Sequence, residues 1–220
     1  MPLSTIEIET QSNPDCAVIW LHGLGANGHD FEPIVAELNL PSSIRAKFIF
    51  PNAPIQAVSL NNGMQMPSWY NIYGLAEDSQ EDEAGIKKIN QEINLLIQQE
   101  IDKGIATDKI VLAGFSQGGA LTLYSGLNYP LPLAGLLALS CYLPLREQLE
   151  DFAKHADRDL RIFLAHGTHD DVVPLAFAQQ AKERLEQQGF TLNWHTYTCA
   201  HTVCADEIKD IREFLLRCWQ

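Results

Sequence analysis

From Cys16 onward, short unbroken apolar runs alternate with segments whose apolar residues recur at helical spacing. Cys16 to Leu21 is the first such run, and Ala46 to Phe50 is the second, stopping at Pro51. Ile110 to Ala113, Gly135 to Leu139, Leu160 to Ala165 and Phe190 to Thr198 follow. Runs of this length without polar alternation suit strands buried on both faces of a parallel sheet. Between them lie helical patterns. Phe31, Ile34, Val35 and Leu38 mark a short helix, and Ile86, Ile89, Ile93, Leu96 and Ile97 mark one face of a long one. The long helix opens at a cap-like Ser79 and Asp82 and ends by Gly104, and Pro174 and Gly189 bracket another. Ile208, Ile211, Phe214 and Leu215 line the last. The alternation predicts an α/β fold, a mostly parallel sheet with helices on both faces.

Two stretches depart from this rhythm. Thr5 to Thr10 alternates Ile6 and Ile8 with Glu7 and Glu9, the pattern of a half-exposed antiparallel edge strand. The 27 residues from Pro51 to Glu77 carry Pro, Asn and Gly breaks together with Met64, Met66, Trp69, Tyr70, Ile72 and Leu75. Such a loop either walls a greasy ligand site or plugs the core beneath it.

Length and charge narrow the possibilities. The chain has 220 residues with 46% hydrophobic content, which predicts one domain over residues 1–220. Acidic residues outnumber basic ones 28 to 15, which argues against nucleic acid or an anionic membrane as the main partner. No Lys or Arg precedes Arg45, so the start lacks the pattern of a signal peptide. Leu131 to Leu145 is too short and too interrupted to span a bilayer. Cys16, Cys141, Cys199, Cys204 and Cys218 are odd in number and lack disulfide-framework spacing, so a reducing, cytoplasmic setting is expected.

The chemistry centres on Gly114-Phe115-Ser116-Gln117-Gly118, set between the Ile110 strand and a helical run through Ala120, Leu121, Leu123, Tyr124 and Leu127. A serine pinned at a strand-to-helix turn needs small neighbours two residues to either side. The turn lifts the hydroxyl clear of the sheet at a helix N-terminus, where N–H groups favour developing negative charge. Its partners should follow later strands, beyond their carboxyl ends. Two loops qualify: His166 to Pro174, with adjacent Asp170 and Asp171, and Cys199 to Thr202. His201 is the best base, since it follows the final strand, and the order Ser, Asp, His suits a hydrolase of this class. His22-Gly23-Leu24-Gly25 ends the first buried strand as a second candidate oxyanion loop, with His22 ordering the backbone. No metal site is expected, because neither H-E-x-x-H nor paired C-x-x-C spacing occurs.

These residues together resemble the acyl-protein thioesterase and small bacterial carboxylesterase group of α/β-hydrolases, which also has lysophospholipase-like members. The resemblance spans nearly the whole chain. It rests on Leu21-His22-Gly23-Leu24-Gly25, Pro67-Ser68-Trp69-Tyr70, Glu81 to Ile86, Gly114 to Ala120, Leu139 to Pro144 and the His166 to Pro174 segment. It implies an α/β-hydrolase fold without a large lid domain, a Ser116 nucleophile, an Asp170 acid and a His201 base. Oxyanion donors fall on the backbone N–H groups of Leu24 and Gln117, and Trp69 and Leu75 border the acyl groove. No cofactor is implied. The expected substrate is a small-molecule or lipid-derived ester, short to medium in its acyl chain, or an acylated protein, without stable membrane insertion. Asn71 stands where many relatives carry Asp, and Cys199-Ala200-His201 replaces the usual Met-Gly-His.

Overall fold

A computed structural model describes residues 3–74 and 79–220. Seven strands form its main sheet: β1 (Thr5–Glu9), β2 (Cys16–Leu21), β3 (Ala46–Pro51), β6 (Ile110–Phe115), β7 (Gly135–Leu139), β8 (Ile162–Gly167) and β9 (Leu192–Tyr197). Their order is β1-β3-β2-β6-β7-β8-β9. Only β1 runs antiparallel, on β3, while every other neighbouring pair is parallel. The helices are α1 (Ile34–Glu37), α2 (Glu83–Asp102), α3 (Gln117–Asn128), α4 (Leu149–Phe152), α5 (Leu175–Gln187) and α6 (Ala205–Cys218). No helix among the described residues is long and apolar enough to cross a membrane.

The two-residue period of the strands divides the core into two. Ala17, Ile19 and Leu21 of β2 pack with Ile86, Ile93 and Ile97 of α2, Leu121 of α3 and Leu185 of α5. Cys16, Val18 and Trp20 point the other way, toward Ile34 of α1 and Ile211 and Phe214 of α6. Alternate side chains of one strand therefore feed opposite faces, and the central strands need to be apolar throughout. The strand order reverses at β2, which has β3 on one side and β6 on the other. That reversal opens a crevice beyond the carboxyl ends of β2 and β6, the place where open parallel sheets bind ligands.

Three expectations are corrected. The Pro51 to Glu77 segment contains a hairpin, β4 (Ile55–Val58) with β5 (Met64–Pro67). Its turn has Asn62 at φ 55° and Gly63 at φ 77°, left-handed positions that Asn and Gly fill with little strain. The first helix begins at Ile34, not Phe31, because Glu32 precedes a proline and is disfavoured from helical geometry. Strand β8 runs on to His166 and Gly167, whose backbones pair with Thr196 and Tyr197. Ladder pairing needs no apolar side chain, so the apolar run underestimates the strand.

One buried ion cluster ties the edge to the layer above. Lys47 of β3 reaches Glu100 of α2 at 3.1 Å and Glu7 of β1 at 2.9 Å, and Lys103 approaches Glu100 at 2.7 Å. Lys47 and Glu100 are both buried. Removing one partner of a buried pair leaves the other charge without compensation. Lys47→Met is expected to lower unfolding stability by about 3 kcal/mol, and Lys47→Met with Glu100→Gln by clearly less. Urea denaturation of the two variants measures this, and equal losses would contradict it.

Candidate active site

Ser116 sits between β6 and α3 with φ 55° and ψ −119°, a region that non-glycine residues rarely occupy. The surrounding backbone leaves it no alternative. A Cβ on Gly118 would stand 2.2 Å from the Leu21 carbonyl oxygen, and one on Gly114 would stand 2.3 Å from that of Gly118. The first turn of α3 thus lies directly on the ends of β2 and β6. Ser116 N–H donates to the Leu139 carbonyl at 2.8 Å, which pins the turn to β7 as well.

His201 comes from the loop after β9 and Asp170 from the loop after β8. The Ser116 Oγ to His201 Nε2 distance is 3.0 Å, and His201 Nδ1 donates to Asp170 Oδ2 at 2.6 Å. The other carboxylate oxygen accepts from the backbone N–H groups of Val172 at 2.9 Å and Val173 at 2.8 Å. The Asp170 side chain is fully buried, and both of its oxygens accept hydrogen bonds. Asp171 is exposed. The two loops are stitched together, His169 N–H donating to Cys199 O at 3.0 Å and Thr168 N–H to Tyr197 O at 2.8 Å. Gly167 allows this, since a Cβ there would meet the Ala200 carbonyl at 2.4 Å. The Phe115 ring packs on the His201 ring with centroids 4.6 Å apart.

The two candidate oxyanion donors flank Ser116. Leu24 lies in the loop after β2, and Gln117 is the first residue of α3. Neither backbone N–H donates to an acceptor among the described residues. The Leu24 loop is held from below. His22 is buried, its Nδ1–H donates to Gly23 O at 2.7 Å, and its Nε2 accepts from the Ala53 N–H at 3.0 Å. Burial keeps its imidazole below the ordinary range and neutral, which that bonding requires. Gly25 N–H donates to Pro67 O of β5 at 2.8 Å, so the hairpin braces the loop from the side.

A cleft of about 260 Å³ opens over Ser116, with Leu24, Leu60, Ile72, Tyr142 and Val172 on its walls and His201 at one edge. Trp69 is not on the wall. It is 1% exposed, and its indole N–H donates to the His22 carbonyl at 2.8 Å beneath the oxyanion loop. An indole with an N–H to satisfy is more stable under the loop, where a carbonyl waits, than on an apolar wall. Leu75 lies outside the described residues. The Gln117 side chain has a role that sequence reasoning missed. Its Oε1 accepts from Trp69 N–H at 3.0 Å and its Nε2 donates to Tyr70 O at 2.7 Å, fastening the Ser68 to Tyr70 segment to the nucleophile turn. Asn71 accepts from Ser59 N–H at 2.8 Å and donates to Ser59 Oγ at 2.9 Å, so its amide ties the end of the hairpin to the segment after it. An Asp there could accept the first bond, and the second would have to run the other way, from the Ser59 hydroxyl to the carboxylate.

His166, at the start of the acid's loop, has a role that sequence reasoning did not assign. It is buried, donates through Nε2 to Val173 O at 2.7 Å, and lies 3.3 Å from Asp170 Oδ2. Burial holds it below the ordinary histidine range. A histidine closing a strand just before an acid is the signal that marks it, since strand ends feed the site.

The family described as phospholipase/carboxylesterase matches residues 4–219. Acyl-protein thioesterase 1 of Mycosarcoma maydis is 39% identical, the match covering 97% of this chain and 96% of that protein. The protein of the same name from Kluyveromyces lactis is 36% identical over 98% of this chain and 97% of its own. Among solved structures, acyl-protein thioesterase 2 of Zea mays superposes with a TM-score of 0.89 at 26% identity, covering 99% of each chain.

Trp69→Phe separates a wall from a support. Loss of the indole N–H strands the buried His22 carbonyl, so a stability loss of about 1 to 3 kcal/mol is expected. KM for a soluble ester should stay within about twofold, since the variant alters no wall of the cleft. Thermal unfolding and steady-state kinetics check both halves, and a large KM rise at unchanged stability would put Trp69 in the groove.

Proposed function

The chain belongs to the phospholipase/carboxylesterase family, and we propose that Ser116 is its nucleophile, His201 its general base and Asp170 the group that orients the base. It is a serine hydrolase of the esterase and thioesterase class. The observation that carries the residue assignment is the unbroken line of hydrogen bonds from Ser116 through His201 to Asp170, 3.0 and 2.6 Å long. In the proposed reaction His201 Nε2 takes the hydroxyl proton as Oγ attacks the acyl carbon, and the N–H groups of Leu24 and Gln117 receive the developing oxyanion. The same imidazolium then protonates the leaving alkoxide or thiolate. Water, deprotonated by His201, hydrolyses the acyl-enzyme and restores Ser116. The Asp170 carboxylate fixes the imidazole tautomer and stabilises its charged form. No step in this scheme calls for a cofactor.

The cleft favours short to medium acyl chains. At about 260 Å³ it falls just below the usual range for ligand pockets, roughly 300 to 1,000 Å³, so it encloses only the carbonyl end of a long chain. Longer acyl groups, including those of acylated proteins, are the second reading. Leu60 and Val172 favour it, because they continue from the cleft wall onto the surface at 41% and 50% exposure. The relatives named acyl-protein thioesterase support the same reading. The five cysteines are all free, which accords with the cytoplasm.

A rate series on p-nitrophenyl esters of increasing chain length tests the substrate range. We expect kcat/KM to peak at short to medium chains. A steep rise that continues to long chains would favour the second reading.

Asp170→Asn and Asp171→Asn test the roles within the loop. Asn at 170 offers a donor where the His201 Nδ1–H needs an acceptor and favours the wrong tautomer. The equivalent change in serine proteases costs about 10⁴ in kcat, and a loss of at least about 10² is expected here. Asp171→Asn, at an exposed position, should change kcat by less than about tenfold. Purified variants of matched Tm assayed on one soluble ester decide it, and the reverse pattern would overturn the assignment.

A further inference from the structure

On the loop that carries His201 and the helix after it, two thiols and a buried carboxylate converge. Cys199 lies two residues after β9, Cys204 is the N-cap residue of α6, and Glu207 lies in the first turn of α6. Their ligand atoms all lie within 4.8 Å of one another. Glu207 is 1% exposed. Its Oε1 has no hydrogen-bond partner among the described residues. A carboxylate oxygen that is buried and unpartnered is costly unless something else occupies it.

We propose that Cys199, Cys204 and Glu207 form a binding site for a soft divalent cation, Zn²⁺ above all, and that its occupation restrains the His201 loop and slows hydrolysis. Two sulfurs select Zn²⁺ over Mg²⁺ and Ca²⁺, which prefer oxygen. Zn–S bonds near 2.3 Å and Zn–O bonds near 2.0 to 2.2 Å place tetrahedral ligands about 3.5 to 3.8 Å apart, so the three groups need close by only about 1 Å. Three protein ligands leave a fourth position for water. Cys204 and Glu207 are fixed by the start of α6, while both cysteines remain partly open to solvent, which gives the ion a way in. Binding replaces the two thiol protons and the proton that burial holds on the Glu207 carboxyl, all of which pass to solvent, and involves no change of oxidation state.

The coupling to activity rests on the reading of His201 as the base. His201 lies two residues after Cys199 and three before Cys204, so both anchors of its loop become ligands. The loop already touches Gly167 at Cys199 and Ala200, and it has no slack on that side.

The test uses the full chain, stripped with chelator and kept reduced without oxygen. Titration calorimetry with Zn²⁺ should give one site per chain, and Co²⁺ should give a thiolate-to-metal charge-transfer band. Cys204→Ser and Glu207→Gln should each weaken Zn²⁺ at least about tenfold. Glu207→Gln keeps the size and shape of the side chain, and both variants should hydrolyse ester normally without metal. Absence of saturable binding, a Co²⁺ spectrum without thiolate bands, or unchanged affinity in both variants would overturn the site. Zn²⁺ should lower wild-type kcat, reversibly with EDTA, and leave kcat of Cys204→Ser unchanged. Equal inhibition of the two would overturn the coupling. Ser116→Ala should bind Zn²⁺ as wild type does, and full activity in that variant would sink the proposed function without touching the metal result.

Discussion

The structure depends on how closely the start of α3 presses on the ends of β2 and β6. There is no room at Gly114 or Gly118 for even a methyl group, because backbone oxygens of Gly118 and Leu21 occupy the space. That contact forces Ser116 into its strained conformation and aims the helix N-terminus at the crevice created by the strand reversal. It also brings the Leu24 loop alongside Gln117. Nucleophile and Gln117 are thus placed by one backbone-to-backbone contact, while the Leu24 loop is also held by the hydrogen bonds of the His22 side chain and the Trp69 indole. Strain of this kind, on the order of 1 to 3 kcal/mol, persists only where the surroundings over-determine it. Here three strands, β2, β6 and β7, hold the turn.

The base is held differently. His201 belongs to a loop after β9, the edge strand of the sheet, whose residues are only partly buried. Its position comes from polar stitching: the ladder between β8 and β9 continues as loop-to-loop hydrogen bonds to Thr168 and His169. The acid and the base are therefore tied to each other through the loops after β8 and β9 as well as through their own hydrogen bond.

Much of this was readable because it follows from local rules. The buried strands, the glycine-flanked serine and the two loops after late strands are all visible as apolar runs and turn residues. The hairpin was missed although Asn62-Gly63 is a turn signal, because Met64 and Met66 read as loop wall and the flanking strands are short. Trp69 misled for a related reason. A large aromatic in a long loop can line a groove or support one, and the choice rests on whether its N–H finds a carbonyl across the chain. That carbonyl belongs to His22, 47 residues away, so no local pattern could reveal it. The side chain of Gln117 was missed because its partners are likewise set by tertiary contact, whereas those of His166, Asp170 and Val173, lie in its own loop.

Asp170 shows how a strongly acidic chain can keep a buried carboxylate without a permanent cation. Its burial would be prohibitive for an unpaired charge. Two backbone N–H groups from Val172 and Val173 and the His201 N–H supply the compensation, and all three arrive with neutral partners. A lysine or arginine in their place would stabilise the carboxylate as well, but it would offset the field that favours an imidazolium beside it. Backbone donors avoid that competition. They satisfy the carboxylate while leaving its full charge available to His201 at the moment the ring takes a proton, and that accounts for a site of this chemistry in which, among the described residues, no lysine or arginine pairs with the acid.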